Sequence, residues 1–442
     1  MTAIILCSRL ESSRVPGKAL IKYNGITHIE HLITRLVPSG YPIYLAVPEA
    51  QASKYSFLLD KFKGQLFIST GCSDDPLART YKVAKQNGIT KIIRVTHDKI
   101  FVDVNIMTSM VNQMEINKLD YVFTSSAIAG TGCEIISFNA LEAAANKFKK
   151  VEHISYAIRC VTKKILNYAF MSADIDSDDS FRLLVDYPED VAVMDIIFTT
   201  LGSDCTLQDV IRFIDANNWL RNMNKMPLVT VYTCAYNAEK WINEAMGSVA
   251  FQDRFKEFEY ILIDDYSSDK TLFNMAKFCQ TFKRTKFYKN SKNEGLATSS
   301  NRALNMARGK YIIRLDADDY FTGKNSISSL IEVIEDGYRD IVYPDCYTNK
   351  TKTATQSSIE HSHVGGALFR TSALNHLKFT DKMRGYDSLD IYLRAKDVLK
   401  IARTNQPTFL YRQHDGSLSK NNLEERSKIK KSLEEKHEQP GI

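Results

Sequence analysis

The chain has 442 residues, 44% hydrophobic and 25% charged, and carries a net charge of +6. That length predicts two or three domains, and the small charge, without a long basic block, argues against nucleic acid as a partner. The eight cysteines lie far apart, with neither CxxC nor zinc spacing, and no apolar run approaches the roughly 20 residues of a membrane span. The opening AIIL is also too short for the core of a signal peptide. These features predict a cytoplasmic protein with reduced thiols, associated with membranes at most peripherally.

The first run, TAIILC, reads as a buried strand leading into SRLESSRVPGKAL, from Ser8 to Leu20. There Arg9, Arg14 and Lys18 lie so close that they repel one another unless an anion or carboxylates hold them. Ligands of parallel α/β sheets bind beyond the carboxyl ends of strands, which is where this loop begins. Backbone amides of Ser12, Ser13 and Gly17, with three cations, suit a triphosphate. The Walker A pattern is absent, and the competing interpretation of the loop is a solvated basic turn. Next, Ile26, Ile29, Ile33 and Leu36 recur at helical spacing, with Thr27 and Glu30 as a capping-box pair.

The runs YPIYLAVP, QLFIST, KIIRVT, DYVFTS and EIISF alternate with helical patterns. That alternation predicts an α/β domain with a largely parallel sheet. Asp98 follows KIIRVT, Glu134 opens EIISF, and Asp186 follows FRLLV. Near residue 217, NNWLRNMNKMP loses periodicity, and Pro227 stops any helix. A second series then begins with LVTVYTC, a helical stretch capped by Asn237, YILIDD, KFYKN and KYIIRLDADD. No repeat is evident residue by residue. Beyond about residue 418 the chain is highly charged and reads as an exposed helix or frayed tail. The predicted divisions are a first domain over 1–222, a second over 227–418, and a charged tail over 419–442.

The first half carries Arg9-Leu10-Glu11-Ser12-Ser13-Arg14-Val15-Pro16-Gly17-Lys18, Arg94-Val95-Thr96-His97-Asp98, Glu152-His153-Ile154 and Leu184-Val185-Asp186-Tyr187-Pro188-Glu189-Asp190. In order and spacing these resemble the nucleotide-sugar cytidylyltransferases, of the acylneuraminate and 3-deoxy-manno-octulosonate group, and more closely its spore-coat polysaccharide branch. The resemblance implies that CTP is bound by Ser8, Arg9, Ser12, Ser13, Arg14 and Lys18, with Arg9 and Lys18 also catalytic. Asp98 and Asp186 would hold Mg²⁺. A substrate hydroxyl or phosphate would attack the α-phosphate and release pyrophosphate. Two departures stand out: Glu11 where Gly or Ala is usual, and the bulky Lys99-Ile100-Phe101 after Asp98.

The second half resembles the family 2 inverting glycosyltransferases. Tyr236, Asn237, Asp264, Asp265 and Gly295 match the nucleotide-binding segments of that family. Asp316 and Asp318 match its metal motif, for Mg²⁺ with Mn²⁺ as the alternative. Gly365-Gly366-Ala367-Leu368-Phe369-Arg370 matches the acceptor side, and Tyr411-Arg412-Gln413-His414 a late element in which His414 meets the diphosphate. Where the family reads Glu-Asp, this chain reads Asp387-Ser388, which makes Asp387 the expected base and Asp390 its reserve.

Both halves are thus expected to be Rossmann-like α/β domains of the nucleotide-diphospho-sugar transferase type, in tandem. The partners expected are CTP, a nucleotide-sugar donor and a glycan or lipid-linked acceptor, with a homodimer as the candidate assembly. The combined expectation is a bifunctional enzyme of surface-polysaccharide synthesis. One rival is a glycosyltransferase with a non-catalytic first domain, and another is a non-enzymatic assembly protein at the membrane. A CMP-sugar carries one phosphate, whereas a paired-aspartate metal site suits a leaving diphosphate. The second domain therefore fits the first domain's product only if that product is a CDP compound.

Overall fold

In a computed structural model, residues 1–12, 14–126, 128–151, 154–170, 181–336, 339–349, 363–380 and 386–414 are described, with backbone only at 125–126 and 167–170. Ser13, the pair Glu152-His153 and the tail beyond 414 lie outside the described residues. The chain divides into compact units, Met1–Lys225 and a second beginning at Met226.

The first unit contains β1 (Thr2–Cys7), a small hairpin of β2 (Lys22–Tyr23) and β3 (Ile26–Thr27), β4 (Ile43–Pro48), β5 (Leu66–Gly71), β6 (Lys91–Thr96), β7 (Tyr121–Ser126), β8 (Glu134–Ser137) and β9 (Ile165–Phe170). Its main sheet runs β5-β4-β1-β6-β8-β7-β9. Only β8 is antiparallel to its neighbours. The strands are apolar on both faces because helices cover both sides, as crossover connections require.

The second unit contains β10 (Val229–Ala235), β11 (Phe258–Asp264), β12 (Thr285–Lys289), β13 (Tyr311–Arg314), β14 (Tyr320–Phe321), β15 (Ile341–Thr348), β16 (Leu368–Arg370) and β17 (Ile401–Tyr411). Its sheet runs β12-β11-β10-β13-β16-β15-β17-β14. Apart from the added β14, this is the order of the first sheet: third, second, first, fourth, sixth, fifth, seventh. The sixth strand is antiparallel here too. Sequence comparison of the halves does not reveal the repeat, because a strand order is kept by apolar pattern and chain direction rather than by residue identity.

Most expected strands form within a residue or two of the predicted runs. The first sheet is largely parallel, as expected, while β9 and the second unit's β14 to β17 fall outside the predicted strands. Thr27 does cap the helix His28–Leu36 with Glu30 in a capping box, but Ile26 belongs to β3. Asn237 does not cap a helix. It is left-handed (φ 50°), and the next helix is Ile242–Ala250, entered from Trp241 without a side-chain cap. Asn accepts a left-handed backbone more readily than most residues, and here it serves a turn.

The stretch without periodicity still forms a helix, Asn218–Met223, and Asn224 behind it is buried in the first unit. Its amide donates to Asp190 Oδ1 at 3.1 Å and to the Arg182 carbonyl at 2.9 Å. A fragment ending at 225 should therefore unfold cooperatively and be more stable than one ending at 222. Losing these buried bonds costs about 1–3 kcal/mol, measurable as a difference in urea midpoint. Equal midpoints would mean that Asn224 contributes nothing to the fold.

Candidate functional sites

In each sheet the strand order reverses between the first and fourth strands, the point at which open α/β sheets bind ligands beyond the carboxyl ends of their strands. The loops after β1 and β6, and after β10 and β13, carry the charged residues singled out by sequence.

In the first unit, the loop after β1 is fastened at both ends. Gly17, left-handed at φ 67°, donates its N–H to the Leu10 carbonyl at 2.9 Å, and Leu10 N–H donates to Gln51 at 2.8 Å. The Gly17 amide is therefore used internally and is not one of the donors expected for a phosphate. Ser12 Oγ accepts from Val15 N–H at 3.2 Å, and the buried Ser8 hydroxyl pairs with Tyr55 at 2.8 Å. Glu11 is exposed. The bulk of Ile100 and Phe101 goes into the core, and Lys99 donates to the Gly132 carbonyl.

Lys18 gathers this site. It is 7% exposed, and its ammonium donates to the Val185 carbonyl and to Asp186 Oδ1, both at 2.7 Å. Val185 N–H in turn bonds the Asp98 carbonyl at 3.0 Å, so the segments carrying the two aspartates are joined. Burial pushes the Asp98 carboxyl up, but Lys18, His97 and Lys99 outweigh it and hold the group well below the usual carboxylate range. Arg14 lies 4.0 Å from Asp186 and stacks on Tyr187.

Two residues without an assigned role complete the surroundings. Burial lowers His97 to about 4, helped by Lys18, so its imidazole is neutral. Asp190, fully buried, accepts the N–H groups of Asp186 and Tyr187 at 2.8 Å each and pairs with Arg182. Its grip on the Asp186–Tyr187 turn belongs to the capping box at the start of the helix Pro188–Leu201. Glu134 stands apart from Lys18, bonded by Arg94, Tyr121 and Ser155.

In the second unit, the loops after β10 and β11 are zipped together. Asn237 Oδ1 accepts from Ser268 N–H at 2.9 Å, and Asn237 N–H donates to Ser267 Oγ at 2.9 Å. Tyr236 and Tyr266 stand exposed at 54% and 52%, and Tyr266, also left-handed, was not anticipated. Asp264 is fully buried and accepts from Ser267 N–H. Asp265 turns inward: Glu294 N–H, Gly295 N–H and Asn290 Nδ2 occupy both its oxygens at 2.7–2.9 Å. Asp265 therefore shapes the Gly295 turn from behind.

Asp316 lies two residues past β13, as Asp98 lies two past β6. Between Asp316 and Asp387 is Arg314, a residue the sequence offered only as part of a strand. Its side chain is 5% exposed, with Nε 2.8 Å from Asp316 Oδ1 and Nη1 2.5 Å from Asp387 Oδ2. Burial raises Asp316 to about 6, with Asp318 and Asp387 adding to the rise against the pull of Arg314. Asp319 is raised well above its ordinary range by burial and by Asp316 and Asp318. A Cβ on Gly365 would come 2.9 Å from Asp316 Oδ2, so this glycine leaves the carboxylate its room. His414 meets Asp318 Oδ2 at 2.9 Å, and Arg412 bonds the Asp318 carbonyl, Glu244 and the face of Trp241. Asp390 is engaged by Thr380 and Arg394, away from Arg314.

Among the described residues, no three His, Cys, Asp or Glu side chains form a metal-holding set. The first site joins the Asp98 and Asp186 segments through a backbone bond and Lys18, and the second gathers Asp316 and Asp318 just past β13. Carboxylates are the groups with which Mg²⁺ is held jointly by protein and phosphate oxygens. In the second unit the crowded acids raise each other's affinity for a cation, so the residues fit a divalent ion. Both units are Rossmann-like α/β domains.

Comparison with known proteins agrees. The chain carries a cytidylyltransferase domain, matched over residues 3–168, and a family 2 glycosyl transferase domain, matched over 230–397. An uncharacterized glycosyltransferase of Haemophilus influenzae is 41% identical over 97 residues, which are 22% of this chain and 30% of the relative. Chondroitin synthase of Pasteurella multocida is 26% identical over 224 residues, covering 47% of this chain and 23% of that protein. A cytidylyltransferase structure from Leptospira borgpetersenii aligns with 51% of this chain and 96% of its own at 23% identity and TM-score 0.44. The chain spans about a third of the length of the first curated relatives it matches. No helix among the described residues is long and apolar enough to cross a membrane.

Glu134 gives a test of the first unit's interior. Burial pushes its carboxyl up, yet Arg94, Ser155 and Tyr121 lower it to about 2. A depressed carboxylate contributes stability above its unfolded pKa, near 4.3, and loses that contribution as pH falls towards its folded value. Glu134→Gln should therefore be less stable than the parent at pH 7, with the gap closing between about pH 4 and pH 2. A gap that stays constant over that range would mean the charge is not what Glu134 contributes.

Proposed function

We propose that the chain is a bifunctional enzyme of surface-polysaccharide synthesis, in which the first domain activates a building block with CTP and the second transfers a sugar with inversion. One observation carries the proposal: in each domain a buried cation at the sheet's reversal point is held by an acid from a distant segment, Lys18 by Asp186 and Arg314 by Asp387. The relationship to chondroitin synthase supports a polysaccharide as the product, though the chain matches only 23% of that protein.

In the first domain, Arg9, Arg14 and Lys18 would neutralise the triphosphate, while Asp98 and Asp186 would hold Mg²⁺. The metal, when bound, supplies further neutralisation of phosphate charge. The chain's own contribution is orientation: Asp190 fixes the Asp186 turn, and the Leu10–Gly17 bond fixes the loop. The oxygen of a sugar acid or related building block forms a bond to the α-phosphorus as the bond to pyrophosphate breaks. Positioning and charge suffice, so no side-chain nucleophile is needed.

In the second domain, Tyr236 and Tyr266 offer aromatic faces to the donor's base, and Asp316 and Asp318 would hold Mg²⁺ or Mn²⁺ beside its diphosphate. Asp387 takes the proton from the acceptor hydroxyl of a glycan or lipid-linked chain, whose oxygen bonds to the anomeric carbon as the bond to the nucleoside diphosphate breaks and that group leaves. The Arg314 guanidinium lowers Asp387 against the opposing effect of burial, which keeps it ionised and ready to accept. The two domains serve successive steps, sharing a nucleotide product only if the first makes a CDP compound.

Lys18→Ala and Arg9→Ala should each lose CTP-dependent pyrophosphate release by at least about tenfold, since each removes a charge-assisted contact of roughly 1.5–3 kcal/mol. Glycosyl transfer should be unchanged in both. An intact chain that releases no pyrophosphate with any sugar acid or phosphorylated polyol would instead make the first domain a binding module.

For the second domain, Asp387→Asn should keep donor affinity at saturating Mn²⁺ and lose turnover by about a hundredfold to ten-thousandfold. Normal turnover in Asp387→Asn would remove it as the base. Donor sugars can be screened by thermal stabilisation of the full chain.

A further inference from the structure

The two contacts of Arg314 are unequal. Towards Asp387, Nη1–H is hydrogen-bonded at 2.5 Å. Towards Asp316, Nε is 2.8 Å from Oδ1 but lacks hydrogen-bond alignment, leaving this buried N–H without a bonded partner. The remaining contact, Nη2 to Asp316 Oδ2, is a long 3.5 Å. Arg314 is held from behind by its backbone: Gly366 N–H bonds its carbonyl at 2.7 Å, and Gly365 bridges to it. Its guanidinium thus stays between two acids while bonded well to only one.

Asp316 also lies among Asp318, Asp319 and Asp387, of which Asp318 and Asp319 have their own partners in His414 and Arg412. The only cation whose charge reaches both Asp316 and Asp387 through direct contact, among the described residues, is Arg314. A guanidinium and a divalent ion cannot share one carboxylate closely without repulsion.

We propose that Arg314 is a positioning residue that stands in for the divalent cation at Asp316 and gives up that contact when metal and donor diphosphate arrive, keeping only Asp387. Loading the donor then sharpens the grip on Asp387 Oδ2 and leaves Oδ1 to face the acceptor. This rests on the second domain being a metal-dependent, donor-binding transferase. It adds to that reading an order: the base acquires its final orientation only after the donor site fills.

The consequence is an antagonism that a merely structural arginine would not produce. Mn²⁺ binding can be measured by calorimetry on the full chain carrying Asp98→Asn and Asp186→Asn, so that the second domain's site is the reporter. Adding Arg314→Gln should tighten Mn²⁺ binding on the order of tenfold, because the competing cation is gone. Arg314→Lys keeps the charge but not the fork that spans two acids, and should fall between the parent and Arg314→Gln. Asp387→Asn leaves the guanidinium to Asp316 alone and should weaken Mn²⁺ binding.

Unchanged or weaker binding in Arg314→Gln, or unchanged or tighter binding in Asp387→Asn, overturns the proposal. If Arg314→Gln does not fold, Arg314→Lys and Asp387→Asn decide. Failure of the underlying reading looks different: Mn²⁺ affinity in the reporter chain would not change on adding Asp316→Asn.

Discussion

A cation buried among carboxylates is the interaction on which both crevices depend. Lys18 and Arg314 each sit almost out of water, and each would be costly there without acids to meet it. The acids come from segments far apart in sequence: Asp186 lies 168 residues from Lys18, and Asp387 lies 73 from Arg314. Each pair therefore fastens a late segment of the chain onto the end of an early strand. Removing Arg314 would leave Asp316 and Asp387 as like charges facing each other, and removing Lys18 would leave Asp186 without its close ammonium partner, so site geometry and fold stability are linked at these points.

The loops around these pairs are held from behind by acids that do not face the crevice. Asp190 carries the Asp186 turn, and Asp265 carries the Glu294–Gly295 turn. In both cases a carboxylate satisfies successive backbone N–H groups, which charge-assisted bonds do more firmly than neutral ones. Rigid support of this kind lets exposed residues such as Tyr236 and Arg14 be displayed at fixed positions without packing of their own.

The two sheets share one strand order and one placement of an aspartate two residues past the fourth strand. The cation differs: a lysine from the loop after the first strand in one, an arginine from the fourth strand itself in the other. A common scaffold has thus been charged in two ways. The point charge of lysine suits a loop that meets phosphates, whereas the planar fork of arginine can span two carboxylates at once.

Local patterns were legible from the sequence. Apolar β-branched runs marked most strands, and Thr27 and Glu30 marked a helix start, because these signals depend on neighbours in the chain. The sequence placed the first domain's end at residue 222, and the folded first unit runs on through Asn224, whose partners are Arg182 and Asp190. What it left undecided was which polar groups face a ligand and which face one another. Gly17, Ser8 and Asp265 looked like ligand contacts and are used inside the protein, while Arg314 looked like a strand residue and joins two acids. Only the folded chain decides this, since burial and pairing depend on residues brought together from tens to hundreds of positions away.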